Sequence, residues 1–568
     1  VFAKTDHEAK LDLKGMFFFC VMVSPLNCRL LHLFILSPLA VLGLYSCSAF
    51  NPGESPSIKG GMVWLVCEDQ SLFFPQYGDS TVNLPHLTEL AGDGTVFENA
   101  FAVSPVCAPS RSSILTGVMP QYMGTQHMRA YSHRTANNPH TGLSHYSAPA
   151  PAGVRAFTEH LRAAGVYCTN QSKEDYNFET PPLAWDDSSP QAHWRNRPQG
   201  AAFFSVVNFF GCHESQVWDR SSRPCMVDAS KLDVPPLLPD HPDVRRDLAT
   251  NYCNLQAMDS AVGEVIRQLK ADGLYERTTI LFTSDHGGPF PGFKRSTSDA
   301  GLRVPLIVKW ADGTEAPDRN FGLFSFLDLA PTALNYFGLG VPDVLTGTPI
   351  LPDARGHEAV FGGADRFDGD LTRQRSVRTR NWRLTRNGLP NPSLRLDIPY
   401  RRRMSSMAVI DSLSSEGVEP WHHLTSLPAP RFELYEPNTD PWHQLNLAAS
   451  AARAPLLDSL NALLDDAFPP KLDWGQVPEA DMLVAFDSIR EANPLAAVQW
   501  QRDESGDWTL FHPSPSASFG WRRSNGEAPW RMEEFNASAL GLASGDSIYT
   551  IAARIGWPSV EQALIVPE

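Results

Sequence analysis

Short, nearly unbroken apolar runs alternate with amphipathic stretches along the middle of the chain. Met62–Cys67 (MVWLVC), Ala201–Phe210 (AAFFSVVNFF), Thr279–Thr283 (TILFT) and Val304–Trp310 (VPLIVKW) lack the in-and-out alternation of a half-solvated strand. They read as strands of a parallel sheet buried on both faces. Between them, Leu84–Leu90, Phe157–Ala164, Leu248–Leu269 and Phe326–Phe337 repeat apolar residues at helical spacing, predicting helices. Strands alternating with helices predict an α/β fold, a largely parallel sheet flanked by helices, over residues 60–370.

The pattern changes after residue 370. Ser376–Arg386 (SVRTRNWRLTR) alternates like one exposed strand, Phe432–Leu447 reads as a strand and a turn, and Pro455–Phe468 as an amphipathic helix. These predict a smaller α+β subdomain over 371–470. From about Leu483 no long helical pattern is evident. Trp500, Trp508, Phe511, Trp521 and Trp530 lie in short segments broken by Gly, Ser, Pro and Asn, which predicts a β-rich, sandwich-like module over 480–568.

In parallel sheets, ligands gather at the carboxyl ends of the strands. Glu68-Asp69 follow the first run, His213 the second, and Asp285-His286 the third. Residues far apart in sequence are thereby expected at one edge of the sheet.

Length and composition narrow the function. At roughly 150 residues per domain the length suggests three or four domains. With 42% hydrophobic and 19% charged residues the chain is globular. A net charge of −16 argues against a general nucleic-acid binder, so an anionic substrate needs a local basic pocket. Residues 1–50 read as a leader. Met16 or Met22 is the expected start, Arg29 and His32 precede the apolar run Leu33–Cys47, and the pattern is that of an export signal. Leu44-Tyr45-Ser46-Cys47 is similar to a bacterial lipoprotein box with Cys47 lipidated; a plain cleaved signal and a single membrane anchor are the alternatives. All three place the mature protein outside the cytoplasm, periplasmic or at the cell surface. Of the nine cysteines, Cys20, Cys28 and Cys47 lie in the leader and no CxxC pair exists, which disfavours a zinc-thiolate site. Cys212 and Cys225 either bridge a loop or remain two buried thiols.

The most specific string is Cys107-Ala108-Pro109-Ser110-Arg111, continued by Leu115-Thr116-Gly117. It resembles the signature of Cys-type, formylglycine-dependent sulfatases, C-x-P-S-R-x-x-x-L-T-G. Ser284-Asp285-His286-Gly287, Lys294, Gly301-Leu302-Arg303-Val304-Pro305, Asp328-Leu329-Ala330-Pro331-Thr332 and Glu433-Leu434-Tyr435 extend the resemblance across residues 60–470. Thr169–Asn177 and His213-Glu214-Ser215-Gln216 look like the branch related to heparan N-sulfatase and bacterial glycan sulfatases.

The resemblance implies an alkaline-phosphatase-like fold and an exported enzyme hydrolysing sulfate esters or N-sulfate groups on carbohydrates. Cys107 is then the precursor of a formylglycine hydrate, produced by a formylglycine-generating maturation enzyme. Glu68, Asp69, Asp285, His286 and the modified Cys107 would hold a divalent cation, Ca²⁺ with Mg²⁺ as the alternative; the carboxylates are hard oxygen ligands suited to either. Relatives more often carry Asp at the Glu68 position and Asn at the His286 position. Arg111 is expected to stabilise the hydrate, Lys173 to bind a sulfate oxygen, and His213 and Lys294 to bind sulfate or protonate the leaving group. Asp175 stands where many sulfatases have His and is a candidate base. His127 is either a pocket residue or structural, and Arg401-Arg402-Arg403 either touches a sulfated chain or forms a solvated loop. A phosphonate monoester hydrolase or phosphodiesterase of the same superfamily, and an inactive glycan-binding homologue, are the competing functions.

Overall fold

The computed structural model describes residues 60–568, apart from 391–397 and positions 133, 312, 525 and 527. The leader and Cys47 lie outside the described residues. At the centre is a nine-stranded sheet. Its strands are β1 (Gly61–Cys67), β2 (Thr95–Phe101), β3 (Tyr167–Gln171), β4 (Asp187–Ser188), β5 (Phe203–Phe209), β6 (Thr278–Ser284), β7 (Arg303–Val304), β8 (Leu306–Lys309) and β9 (Arg319–Ser325). They lie in the order β4-β3-β5-β1-β6-β8-β2-β7, with β9 also paired to β2. From β4 to β6 all pairings are parallel, with Gly61 of β1 in register with Phe203 and Thr278.

Every residue of β1 and of β6 is buried, which explains their unbroken apolar runs. Successive residues still part to opposite faces. Met62, Trp64 and Val66 pack on one side with Phe157, Phe204 and Leu334. Val63, Leu65 and Cys67 pack on the other with Phe203, Leu255, Val262 and Leu269. The last three belong to the helix Pro242–Ala271, which starts on a proline and is capped by the His241 side chain accepting the Asp243 N–H. Helices therefore cover both faces.

The run Val304–Trp310 departs from expectation. It is two strands, β7 and β8, both antiparallel to their neighbours. Pro305 between them has no N–H to give to a ladder; both strands pair with β2, and β8 pairs with β6 as well. Ser376–Arg386 also differs. It spans the end of β11 (Asp370–Thr379) and most of β12 (Arg383–Asn387), two antiparallel strands between β10 (Ala359–Phe367) and β13 (Phe432–Tyr435). Several of the polar residues that suggested exposure are buried, among them Arg378 and Arg383, which both reach Asp299, at 3.1 and 2.8 Å.

A helix, Glu479–Ala492, occupies the region expected to lack one. Its Met482 and Phe486, four residues apart, pack on Tyr146 and Ala148, and Glu479 and Asp481 favour its first turn. Beyond it lie a two-stranded sheet, β14 (Gln499–Arg502) with β15 (Trp508–Phe511), and a three-stranded one, β16 (Ser518–Arg522), β17 (Ser547–Ala553) and β18 (Val560–Ile565). The described residues form one compact unit. Among the described residues no helix is long and apolar enough to cross a membrane.

The disulfide is Cys225–Cys253, with a sequence separation of 28. Cys212 is a free, buried thiol that accepts a bond from the Glu68 N–H, which corrects the Cys212–Cys225 pairing. Replacing both bridge cysteines by Ala should cost about 3–4 kcal/mol by loop entropy, read as a lower midpoint in urea with activity retained below it.

Candidate active site

Five strand ends build the site. β1 hands over to Glu68 and Asp69, the latter in the left-handed region at φ 54°. β6 hands over to Asp285 and His286, and the Asp285 N–H donates to the Cys67 carbonyl at 3.1 Å, tying the two ends together. β5 leads through a single turn to His213 and Glu214, and β3 to Lys173. β2 leads to Cys107, the first residue of the helix Cys107–Thr116.

The side chains converge tightly. Ligand atoms of Asp69, Cys107, Asp285 and His286 all lie within 4.8 Å of one another, and all four residues are buried. The Cys107 Sγ is 3.2 Å from His286 Nε2 and 3.8 Å from Asp69 Oδ1. Lys294 Nζ donates to Asp69 Oδ2 at 2.6 Å and lies 3.7 Å from the Cys107 sulfur. Arg111 donates through Nε to Asp285 Oδ2 at 3.0 Å and through another nitrogen to Asn208 at 2.7 Å. Glu68 sits beside this group, with Oε1 3.2 Å from Lys173 and 3.5 Å from Arg111.

Burial raises the Glu68 carboxyl, against the opposing pull of Lys173 and Arg111. Burial also works against ionised Asp69, but Lys294, His213 and His286 outweigh it and hold that carboxyl well below its ordinary range. His286 is lifted to about 10, because Asp285, Cys107 and Asp69 overcome its desolvation. The converging anionic groups thus favour positive charge at this point, and a cation held there would take the place of the ring proton and leave the imidazole neutral. Glu68 Oε2 is buried with no hydrogen-bond partner among the described residues. Carboxylates this close, one oxygen of them orphaned, suit a hard divalent cation.

His213 has its Nε2 3.8 Å from Asp69 Oδ2. Its Nδ1 accepts from the Ser215 N–H at 3.2 Å, so the neutral ring carries its proton on Nε2, toward the cluster. Burial pushes its pKa down to about 4. Asp175 stands further out, 3.6 Å from Lys173 Nζ. His127 does not join the site: its Nδ1 accepts from the Arg366 N–H at 3.2 Å. The Arg401–Arg403 segment is a 3₁₀ turn with Arg402 and Arg403 exposed. Arg401 is buried, and Arg403 pairs with Asp219 at 3.0 Å over the Trp218 ring.

Three site residues escaped the sequence reading. Glu214 grips Arg295 at 2.8 and 2.9 Å, lies 3.4 Å from Lys294, and gives its N–H to Asp69 Oδ2 at 2.6 Å. Asn208, in β5, orients Arg111. Their signal was adjacency, since Glu214 follows His213 and Arg295 follows Lys294. Glu214→Gln should destabilise the protein by about 3–5 kcal/mol, because Arg295 stays buried without its counter-charge. Chemical denaturation would measure it, and a loss below about 1 kcal/mol would show that the pair is unimportant.

A nucleophile candidate beside converging metal ligands and basic side chains has the composition needed to cleave an anionic ester. Known proteins agree. The family model described as Sulfatase matches residues 62–167 and 136–339. An ulvan-active sulfatase of Formosa agariphila is 33% identical over 545 residues, covering 89% of this chain and 90% of its own. Human N-sulphoglucosamine sulphohydrolase is 27% identical over 457 residues, covering 70% of this chain and 87% of its own. Among solved structures, a 2-O GAG sulfatase superposes with a TM-score of 0.52 at 16% identity, covering 77% of this chain and 96% of that one. The fold is therefore that of the alkaline-phosphatase-like enzymes, and with a relative this similar along nearly its whole length, the chain belongs to the sulfatase family and is a sulfuric ester hydrolase.

Proposed function

We propose that this sulfatase removes sulfate from carbohydrates, using formylglycine made from Cys107 and a divalent cation held by Asp69, Asp285, His286 and Glu68. The observation that carries the reading is the position of Cys107, buried at a helix start among Asp69, Asp285, His286 and Lys294. The similar proteins named for ulvan and for N-sulphoglucosamine support a sugar substrate, O- or N-sulfated. Calcium is the preferred ion for its taste for carboxylate oxygens, with magnesium next.

The formylglycine hydrate would supply one hydroxyl to attack sulfur and a second whose deprotonation expels sulfate, while the cation would draw charge from the reacting oxygens. The chain's own groups do the rest. Lys173 and Lys294 bind sulfate oxygens; burial works against their charge, but Glu68 and Asp175 beside the first and Asp69 and Glu214 beside the second outweigh it and keep both protonated. His213 offers its Nε2–H to the leaving oxygen. Arg111 holds Asp285 in place, and Asp175 is a half-buried carboxylate beside Lys173, a base candidate.

Export fits the Cys225–Cys253 bridge, since disulfides persist in oxidising compartments; N-terminal sequencing at or near Cys47, with lipid or without, tests it. The activity is tested by scoring sulfate release from a panel of O- and N-sulfated mono- and oligosaccharides, beside phosphonate monoesters and phosphodiesters. Turnover of the phosphorus esters with no sulfate released from any sugar would overturn the reading.

A further inference from the structure

Beside the sulfate-binding groups lies a second, partly exposed cation whose backbone is strained into position. Arg129 is a non-glycine residue at φ 59°, and its partner Asp368 sits at φ 50°. Left-handed conformations at such residues cost on the order of 1 kcal/mol and persist where the surroundings enforce them. The enforcement is visible. Met128, the preceding residue, donates its N–H to the Arg366 carbonyl at 2.8 Å and packs in one cluster with Cys107, Phe367 and Tyr400. Asn138 takes the Arg129 carbonyl at 3.0 Å. Arg366 in turn bonds the Asp368 carbonyl at 2.6 Å and is clamped by Glu479.

The guanidinium that results is held and yet open. It lies 3.1 Å from the buried Asp368 carboxylate while its side chain remains 46% exposed. It sits over the Tyr400 ring at 5.6 Å, and Tyr400 packs against His213, ring centres 6.4 Å apart. Arg129 is thus one aromatic ring removed from His213. His140 approaches the same carboxylate oxygen, with Nε2 at 3.5 Å.

We propose that Arg129 anchors a second anionic group, a carboxylate or a further sulfate, on the glycan whose sulfate enters beside His213. Tyr400 would carry the sugar face between the two anions. The assignment rests on the carbohydrate reading above and narrows it to substrates carrying two negative groups. A planar guanidinium presents paired donors that match both oxyanions. A protein of net charge −16 needs such local cations to draw in a polyanion.

The test compares three oligosaccharides sharing one scissile sulfate: one with a neighbouring carboxylate, one with that carboxylate reduced to the alcohol, and one with a second sulfate in its place. The ratio of kcat/KM for each charged substrate to the neutral one is measured for the native enzyme and for Arg129→Gln. A charge-assisted bond of this kind predicts a ratio about ten- to a hundredfold smaller in the variant, carried mainly by KM. Which charged arm falls identifies the group. Because Arg129→Gln could disturb the Asp368 segment, a second measurement uses the native enzyme alone: its preference for the charged substrates should shrink as salt is raised. A ratio unmoved by the substitution, or by salt, overturns the proposal. Dissociation constants on Cys107→Ala protein, with and without Arg129→Gln, separate this from the activity itself. If no sugar releases sulfate but the charged oligosaccharides still bind more tightly through Arg129, the activity reading falls and this inference stands.

Discussion

Cys107→Ala should lower sulfate release by about five to six orders of magnitude, the scale on which deleting a nucleophile acts. The side chain is 2% exposed and makes few demands on the fold, so the variant should melt close to the native protein. Cys107→Ser is the more telling change. It puts a hydroxyl near the Asp69 and His286 ligand atoms, and Lys294 remains within reach. A serine can attack sulfur once. It has no second hydroxyl on the same carbon, so it cannot expel sulfate by breaking its own C–O bond. The Ser variant should stop after at most one turnover, with the peptide around residue 107 heavier by one sulfo group. The native protein should instead show a mass change at Cys107 and react there with carbonyl reagents. Sustained turnover by a sequence-verified Ser variant, with no sulfated peptide, would mean that another group is the nucleophile.

Much of this site could be read from the chain because its residues follow closely on strands with a largely apolar centre. β1, β5 and β6 are covered on both faces, so their sequences carry an unambiguous apolar signal, and Glu68, Asp69, His213, Asp285 and His286 lie at or just past their ends. The structure brings these together with Cys107, Arg111, Lys173 and Lys294 as the motif order implied. What was missed has physical causes. β2 (TVFENAF) is interrupted by Glu98 and Asn99, which are half-buried near the sheet edge, so no apolar run marks it. The antiparallel pairing of β7 and β8 is a choice of direction that hydrophobicity does not encode. β11 and β12 read as one exposed strand because Arg378 and Arg383 seemed solvent-facing, whereas Asp299, about eighty residues upstream, neutralises both. The Cys225–Cys253 pairing depends on where the helix Pro242–Ala271 lies. Asp175 stands where many sulfatases have histidine; it lies beside Lys173 but outside the group of candidate metal ligands, whereas Lys294 and His213 both face Asp69.

Asp285→Ala should be the most damaging change among the ligand candidates, and more so than His286→Asn. Asp285 serves three partners. Its Oδ1 accepts the Asp69 N–H at 3.1 Å, its Oδ2 accepts Arg111 Nε at 3.0 Å, and it lies in the group within 4.8 Å that fits a cation. Removing it takes away one negative ligand charge and the main restraint on Arg111, whose side chain is 5% exposed. His286→Asn takes away no negative charge and supplies an amide oxygen, a ligand that hard cations accept. We expect kcat/KM to fall by about three to four orders of magnitude for Asp285→Ala, equivalent to about 4–5 kcal/mol of transition-state stabilisation. For His286→Asn the fall should be about ten- to a hundredfold. Metal content gives a readout independent of turnover: elemental analysis should find a divalent ion in native protein, near-native amounts in His286→Asn, and little in Asp285→Ala. Chelation of the native enzyme should abolish sulfate release, and Ca²⁺ or Mg²⁺ should restore it. Full activity in protein shown to be free of metal would sink the cation site, and an Asp285→Ala enzyme that keeps both its ion and its rate would show that Asp285 only positions Arg111.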